Sequence, residues 1–161
     1  MTHTQSLSFL PRNGHSVPFV EVRQSLSSKV AAISPFADQL MRFIVNFRSA
    51  DGSETDIEMA LHEALANAVI HGNGENPGKR VYVDCRCYMD GEVSITVRDE
   101  GRGFDSNAVL DPTFLENLLF THGRGIYLIK TLMDEVSFEE GGTVVMIRKK
   151  SNPNSAEHRK L

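Results

Sequence analysis

Glu63, Asn67 and His71 stand four residues apart in the segment ALHEALANAVIHGN, residues 60 to 73. On a helix that spacing stacks them along one side, while Ile57, Leu61, Leu65 and Ala68 line the other. A carboxylate, an amide and an imidazole in one row offer a proton acceptor, a hard metal ligand and a titratable ring to whatever faces them. Withdrawing such groups from water costs roughly 2–7 kcal/mol even when neutral, unless a partner or ligand satisfies them. The row must therefore look either at water, on a half-exposed helix, or at a polar ligand.

Two glycine pairs bear on that choice. In EVSITVRD, period-two alternation puts Val93, Ile95, Val97 and Asp99 on one face, so Asp99 continues the core row and points inward where the strand breaks into EGRGF. Gly101 and Gly103 let the backbone turn sharply there and come close to a ligand. The second pair, Gly123 and Gly125 in HGRGIYLIK, opens a helix whose free N–H groups favour anions such as phosphate. Either pair alone is an ordinary turn signal, but the combination with the helical row is far more specific and reads as a nucleotide site. It is of an unusual type, because the chain has no GxxxxGK[ST] loop and neither HRD nor DFG.

The elements that must carry these residues follow from periodicity. FVEVRQSL (19–26) alternates as a strand. SPFADQLMRFIVNF (34–47) predicts a helix with Ser34 as N-cap, Pro35 in its first position and Phe36, Leu40, Phe43, Ile44 and Phe47 as its apolar stripe. After the turn SADGSE comes the helix of the polar row, ending at Gly72 in the turn-rich GNGENPGK. RVYVDCRCYM and EVSITVRD read as strands joined at Asp90–Gly91, and EVSFEE and TVVMIRKK as strands joined at Gly141–Gly142. Between these pairs lie an aperiodic loop and the amphipathic helix GIYLIKTLMDEV. The order predicts an α+β fold, a two-layer α/β sandwich with a mostly antiparallel, mixed-class sheet and helices on one face.

With 161 residues, 40% hydrophobic and 24% charged, the chain suits one domain. The expected division is a flexible N-terminus over residues 1–16, one folded unit over 17–150 and a flexible tail over 151–161. A net charge of −4 argues against nucleic-acid binding. Cys85 and Cys87 fall on the same strand face as Val81, Val83 and Met89, which makes them small core residues, poorly placed for a disulfide or a metal. No apolar run is long enough for a membrane span and no leader pattern is visible, so a cytoplasmic protein is expected.

EALANAVIHGN, DEGRGF and HGRGIYLIKTLMDEV match, in order, the N box (E-x-x-x-N) and the two glycine boxes (D-x-G-x-G and G-x-G) of the GHKL, or Bergerat-fold, ATPases that include histidine kinases and type II topoisomerases. Over residues 19 to 150 the chain most resembles the bacterial anti-sigma-factor serine/threonine kinases of that superfamily. The resemblance implies a histidine-kinase-like ATPase fold of the Bergerat type, binding ATP and Mg²⁺. It implies Glu63 as general base, Asn67 as Mg²⁺ ligand and Asp99 as acceptor for the adenine amino group. Gly101 and Gly103 would floor the base pocket, Gly123, Arg124 and Gly125 would line the phosphates, Phe104 and Ile126 would belong to the cofactor-binding set, and His71 would lie near the nucleotide. Its implied partners are a sigma factor and a serine-bearing anti-sigma-factor antagonist, with a possible homodimer. The alternative is a module of the same fold that binds nucleotide and regulator without transferring phosphate. A histidine-kinase catalytic domain would need a preceding helical hairpin with a phosphorylatable His, which the turn-rich start does not resemble.

One departure is the stretch from Phe104 to His122, which is long, acidic and without Lys or Arg. Its first half is expected to order over the γ-phosphate as a lid.

Overall fold

The computed structural model describes residues 18–47, 52–103 and 123–151. Phe104, the expected lid and nearly all of both expected flexible ends lie outside the described residues.

The chain runs through β1 (Pro18–Ser27), a short 3-10 turn (Val30–Ala32), α1 (Ile33–Asn46), α2 (Glu54–Ala66), a π-helical turn (Asn67–Gly72), β2 (Arg80–Tyr88), β3 (Val93–Arg98), α3 (Gly123–Leu132), β4 (Glu135–Glu139) and β5 (Val144–Lys149). The strands form one sheet in the order β1-β2-β3-β5-β4. All four pairings are antiparallel. This is the expected two-layer α+β architecture of a histidine-kinase-like ATPase.

Alternation decides which sheet face the helices cover. Val81, Val83, Cys85 and Cys87 of β2 and Val93, Ile95 and Val97 of β3 are buried, and they share one core with Ile57, Leu61 and Leu65 of α2 and Leu40 and Ile44 of α1. Full burial of one such side chain is worth about 1.5–3 kcal/mol. On the opposite, solvated face, Glu21 takes ion pairs from Arg23 at 2.9 Å and Arg86 at 3.2 Å. Exposed pairs of this kind contribute about 0–1 kcal/mol each, so the apolar layer holds the fold. Cys85 and Cys87 are buried, unbridged thiols.

Three local expectations are corrected. Ser34 is not the N-cap: the 3-10 turn, with Ala32 N–H donating to Lys29 O at 3.0 Å, already runs into α1, and Ala32 takes the cap position without a side-chain bond. Phe47 still meets the Phe43 ring of the stripe, at 4.8 Å between centroids, but is itself 40% exposed. It stacks edge-on against Phe19 at 6.0 Å between ring centroids, because the helix has ended. Met89 is exposed although its β2 neighbours on that face are buried, since the strand stops at Tyr88 and the chain turns through Gly91 at φ 92°.

Candidate functional site

Helix α2 keeps α geometry through Ala66 and then widens into the π turn. The Asn73 N–H reaches back five residues to Ala68 O at 2.8 Å, and the Glu75 N–H reaches Val69 O at 2.8 Å. Such single π turns recur at functional sites. Glu63 and Asn67 are half-buried and His71 is exposed. The apolar side is buried as expected, with Ile57, Leu61 and Leu65 at 0% exposure.

The N-terminal turn of α3 lies directly on this row. A Cβ built on Gly125 would sit 2.6 Å from Glu63 Oε2, 3.4 Å from Asn67 Nδ2 and 3.5 Å from Asn67 Oδ1. A side chain there would displace the Glu63 carboxylate, while the Asn67 amide already lies at ordinary contact distance. Among the described residues neither the Glu63 carboxylate nor the Asn67 side chain has a hydrogen-bond or ion-pair partner. A half-buried proton acceptor and a hard amide oxygen, side by side at a helix N-terminus, suit a phosphate with its Mg²⁺. Arg124 beside them is exposed and Ile126 is buried.

Asp99 marks a second end of the site. Its N–H donates to Thr143 O at 2.9 Å, which prolongs the β3–β5 ladder by one bond, and its Oδ1 accepts from the Gly101 N–H at 2.7 Å. The carboxyl is half-buried, and burial pushes its pKa up, with the Gly101 N–H and the charge of Lys79 opposing. A Cβ on Gly72 would meet the Asp99 carboxylate, with Oδ2 at 2.5 Å and Oδ1 at 2.7 Å. A Cβ on Gly101 would meet the Gly72 carbonyl and Asp99 Oδ1. The end of the π turn and the loop after β3 are thus pressed together without side chains between them. Gly103, at φ +75°, packs instead on the Gly141 carbonyl in the β4–β5 turn. The structure therefore brings Glu63, Asn67 and Gly125 together in one group, and Asp99 and Gly101 in another, with the π turn linking them.

Two residues of this arrangement escape a reading of the sequence. Gly72 looks like a helix stop, and its contact with Asp99 exists only after β3 has been laid alongside. Asn73 is 4% exposed and looks like a turn residue in GNGENPGK. Its amide accepts from the Glu100 N–H at 2.8 Å and donates to Arg80 O at 2.9 Å. The one available signal was a polar residue immediately after the helical row.

Comparison with known proteins agrees with this fold. The family model described as a histidine kinase-like ATPase domain matches residues 26–149. The chain is 34% identical to an anti-sigma F factor of Heyndrickxia coagulans, over 92% of this chain and 93% of the relative. It is 31% identical to one of Oceanobacillus iheyensis, over 86% and 92%. With the anti-sigma F factor of Bacillus subtilis it shares 30% identity over 83% and 85%.

Proposed function

The chain belongs to the histidine kinase-like ATPase domain family, and on that premise we propose that it is an anti-sigma factor that phosphorylates a serine of an anti-sigma-factor antagonist with ATP. The observation that carries the reading is the seating of Gly125 against both Glu63 and Asn67, which joins the carboxylate–amide row to a helix N-terminus. In this proposal Asp99 accepts the adenine amino group, while Gly72 and Gly101 let the π turn and the loop after β3 close around its carboxylate. Gly123, Arg124 and Gly125 present backbone and charge to the phosphates.

Glu63 takes the proton of the serine hydroxyl as its oxygen bonds to the γ-phosphorus. The bridging bond to the β-phosphate breaks, and ADP leaves. Asn67 would hold Mg²⁺, which supplies charge neutralisation at the phosphates when bound. Nothing in the row departs from that chemistry.

The same proposal takes a sigma factor as the protein held and residues 17–150 as the acting unit. It places the protein in the cytoplasm, where the sigma factor works; no helix among the described residues is long and apolar enough to cross a membrane. A homodimer also belongs to it, and sedimentation mass checks that point. The decisive experiment incubates the protein with labelled ATP and a candidate antagonist and looks for phosphoserine. Glu63→Gln should retain nucleotide binding and lose about 10²–10⁴-fold in transfer, the usual worth of a general base. Transfer at the parent rate would remove Glu63 from the chemistry. ATP binding with no phosphoserine would favour a non-catalytic binding module.

A further inference from the structure

We propose that Asn73 is a positioning residue that sets the nucleobase specificity of the site by holding the loop on which Asp99 stands. The proposal rests on the reading of Asp99 as the adenine acceptor.

Asn73 follows the π turn, where an extra residue per turn carries the chain round to the start of β2. At that point its side chain is buried among three backbone segments. Oδ1 accepts from the Glu100 N–H at 2.8 Å, Nδ2 donates to Arg80 O at 2.9 Å, and its own N–H closes the π turn on Ala68 O. One side chain thereby ties the helix that carries Glu63 and Asn67 to the entry of β2 and to the peptide directly after Asp99.

That peptide is held from other directions too. The Arg80 N–H donates to Glu100 Oε2 at 2.7 Å, and the Tyr82 hydroxyl to Glu100 Oε1 at 3.4 Å. Both of those bonds reach the exposed Glu100 side chain and do not hold its backbone N–H. The Asn73 bond is the one among the described residues that fixes the Glu100 N–H itself. Rotation of the Asp99–Glu100 peptide would displace the Gly101 N–H that Asp99 Oδ1 accepts at 2.7 Å and so release the carboxylate from its present orientation. A buried side chain that satisfies both its donor and its acceptor is well placed to prevent that rotation.

Loss of the bond should therefore act on recognition of the adenine amino group more than on binding as a whole. The test compares the dissociation constants of ATP and of purine riboside triphosphate, which lacks the amino group, for the full chain and two variants. The parent should prefer ATP. Asn73→Ala should lose about five- to tenfold of that preference, the scale of one hydrogen bond between well-placed partners. Asn73→Asp retains an acceptor for the Glu100 N–H and should retain most of the preference, even if loss of the Arg80 bond lowers its melting temperature.

A purely structural role would weaken both nucleotides equally, leave their ratio at the parent value and overturn the proposal. Should the alanine variant not fold, loss of preference in the aspartate variant overturns it alone. A parent that shows no preference for ATP refutes the adenine reading of Asp99 and the proposal with it; a parent that does, with Asn73→Ala unchanged, refutes only the proposal.

Discussion

Gly125→Ala should separate the stability of this fold from its chemistry. The glycine lies in the first turn of α3, so in helical terms alanine is the better residue by up to about 1 kcal/mol. The added methyl would sit 2.6 Å from Glu63 Oε2 and about at contact distance from the Asn67 amide. Carbon and oxygen pack comfortably at roughly 3.5 Å, so the carboxylate must withdraw by about 1 Å. Glu63 is half-buried, and its carboxylate is the far end of a flexible side chain, so it can swing aside at small cost to the fold.

The fold should thus hold or gain slightly, whereas a displacement of about 1 Å at a reacting group can cost on the order of 100-fold in rate. The assays are a thermal melt and single-turnover transfer of labelled phosphate to the antagonist. Expected are a melting temperature within a few degrees of the parent, or above it, and a rate reduced about 100-fold with ATP binding changed far less. A variant that transfers phosphate within twofold of the parent rate would show that the Glu63 position at Gly125 has no bearing on the chemistry. A variant that melts far lower would show that the glycine is needed for the fold.

Asp99→Asn should abolish discrimination between ATP and GTP in calorimetry, and equal ATP affinity in variant and parent would overturn the adenine assignment. Because burial raises the Asp99 pKa, the folded state holds that proton more tightly than the unfolded chain does. Stability is therefore lost as pH rises through the raised value, and the loss is absent below the ordinary carboxylate range. The non-ionising variant should then melt at or above the parent at neutral pH, with the gap closing in acid, and a gap that widens in acid would refute this. Parent affinity for ATP should fall as pH drops through the raised pKa, since a protonated carboxyl offers a donor where an acceptor is needed. Lys149 reaches Asp56 Oδ2 at 3.1 Å and Leu132 O at 2.6 Å, tying β5 to the start of α2 and the last turn of α3. Lys149→Met should lower stability by about 1–2 kcal/mol in urea denaturation, and an unchanged midpoint would refute it.

Most of the framework was legible because burial here follows simple periods. The alternation of β2 and β3 and the four-residue spacing of α2 name the core faces without any tertiary information, and both glycine turns between strands declare themselves by residue type. The site was legible as a set of residues but not as two ends. That Gly125 seats on Glu63, or that Gly72 abuts Asp99, depends on how α3 and β3 come to rest against α2. Asn73 was hidden for a further reason: its composition says turn, while its role comes from the extra residue of the π turn, which no hydrophobic period records. Ser34, Phe47 and Met89 misled at element ends, where a preceding 3-10 turn or a strand's last residue reassigns a position that the interior pattern would predict correctly.

The strand order also sets when the pocket comes into being. β2 and β3 join through a tight turn and can pair as soon as both exist, but β1 must wait for β2 across two helices, and β3 for β5 across α3. Glu63 and Gly125 meet only after a loop of more than sixty residues has closed, and contacts of such separation form late because their closure entropy comes first. The Glu63–Gly125 end of the pocket is therefore absent until α3 has docked on α2. A nucleotide that binds this site selects the fully folded molecule, adding about 2.7 kcal/mol of stability at a hundred times its dissociation constant. Cellular ATP would then govern how much native protein persists, as well as how fast it works.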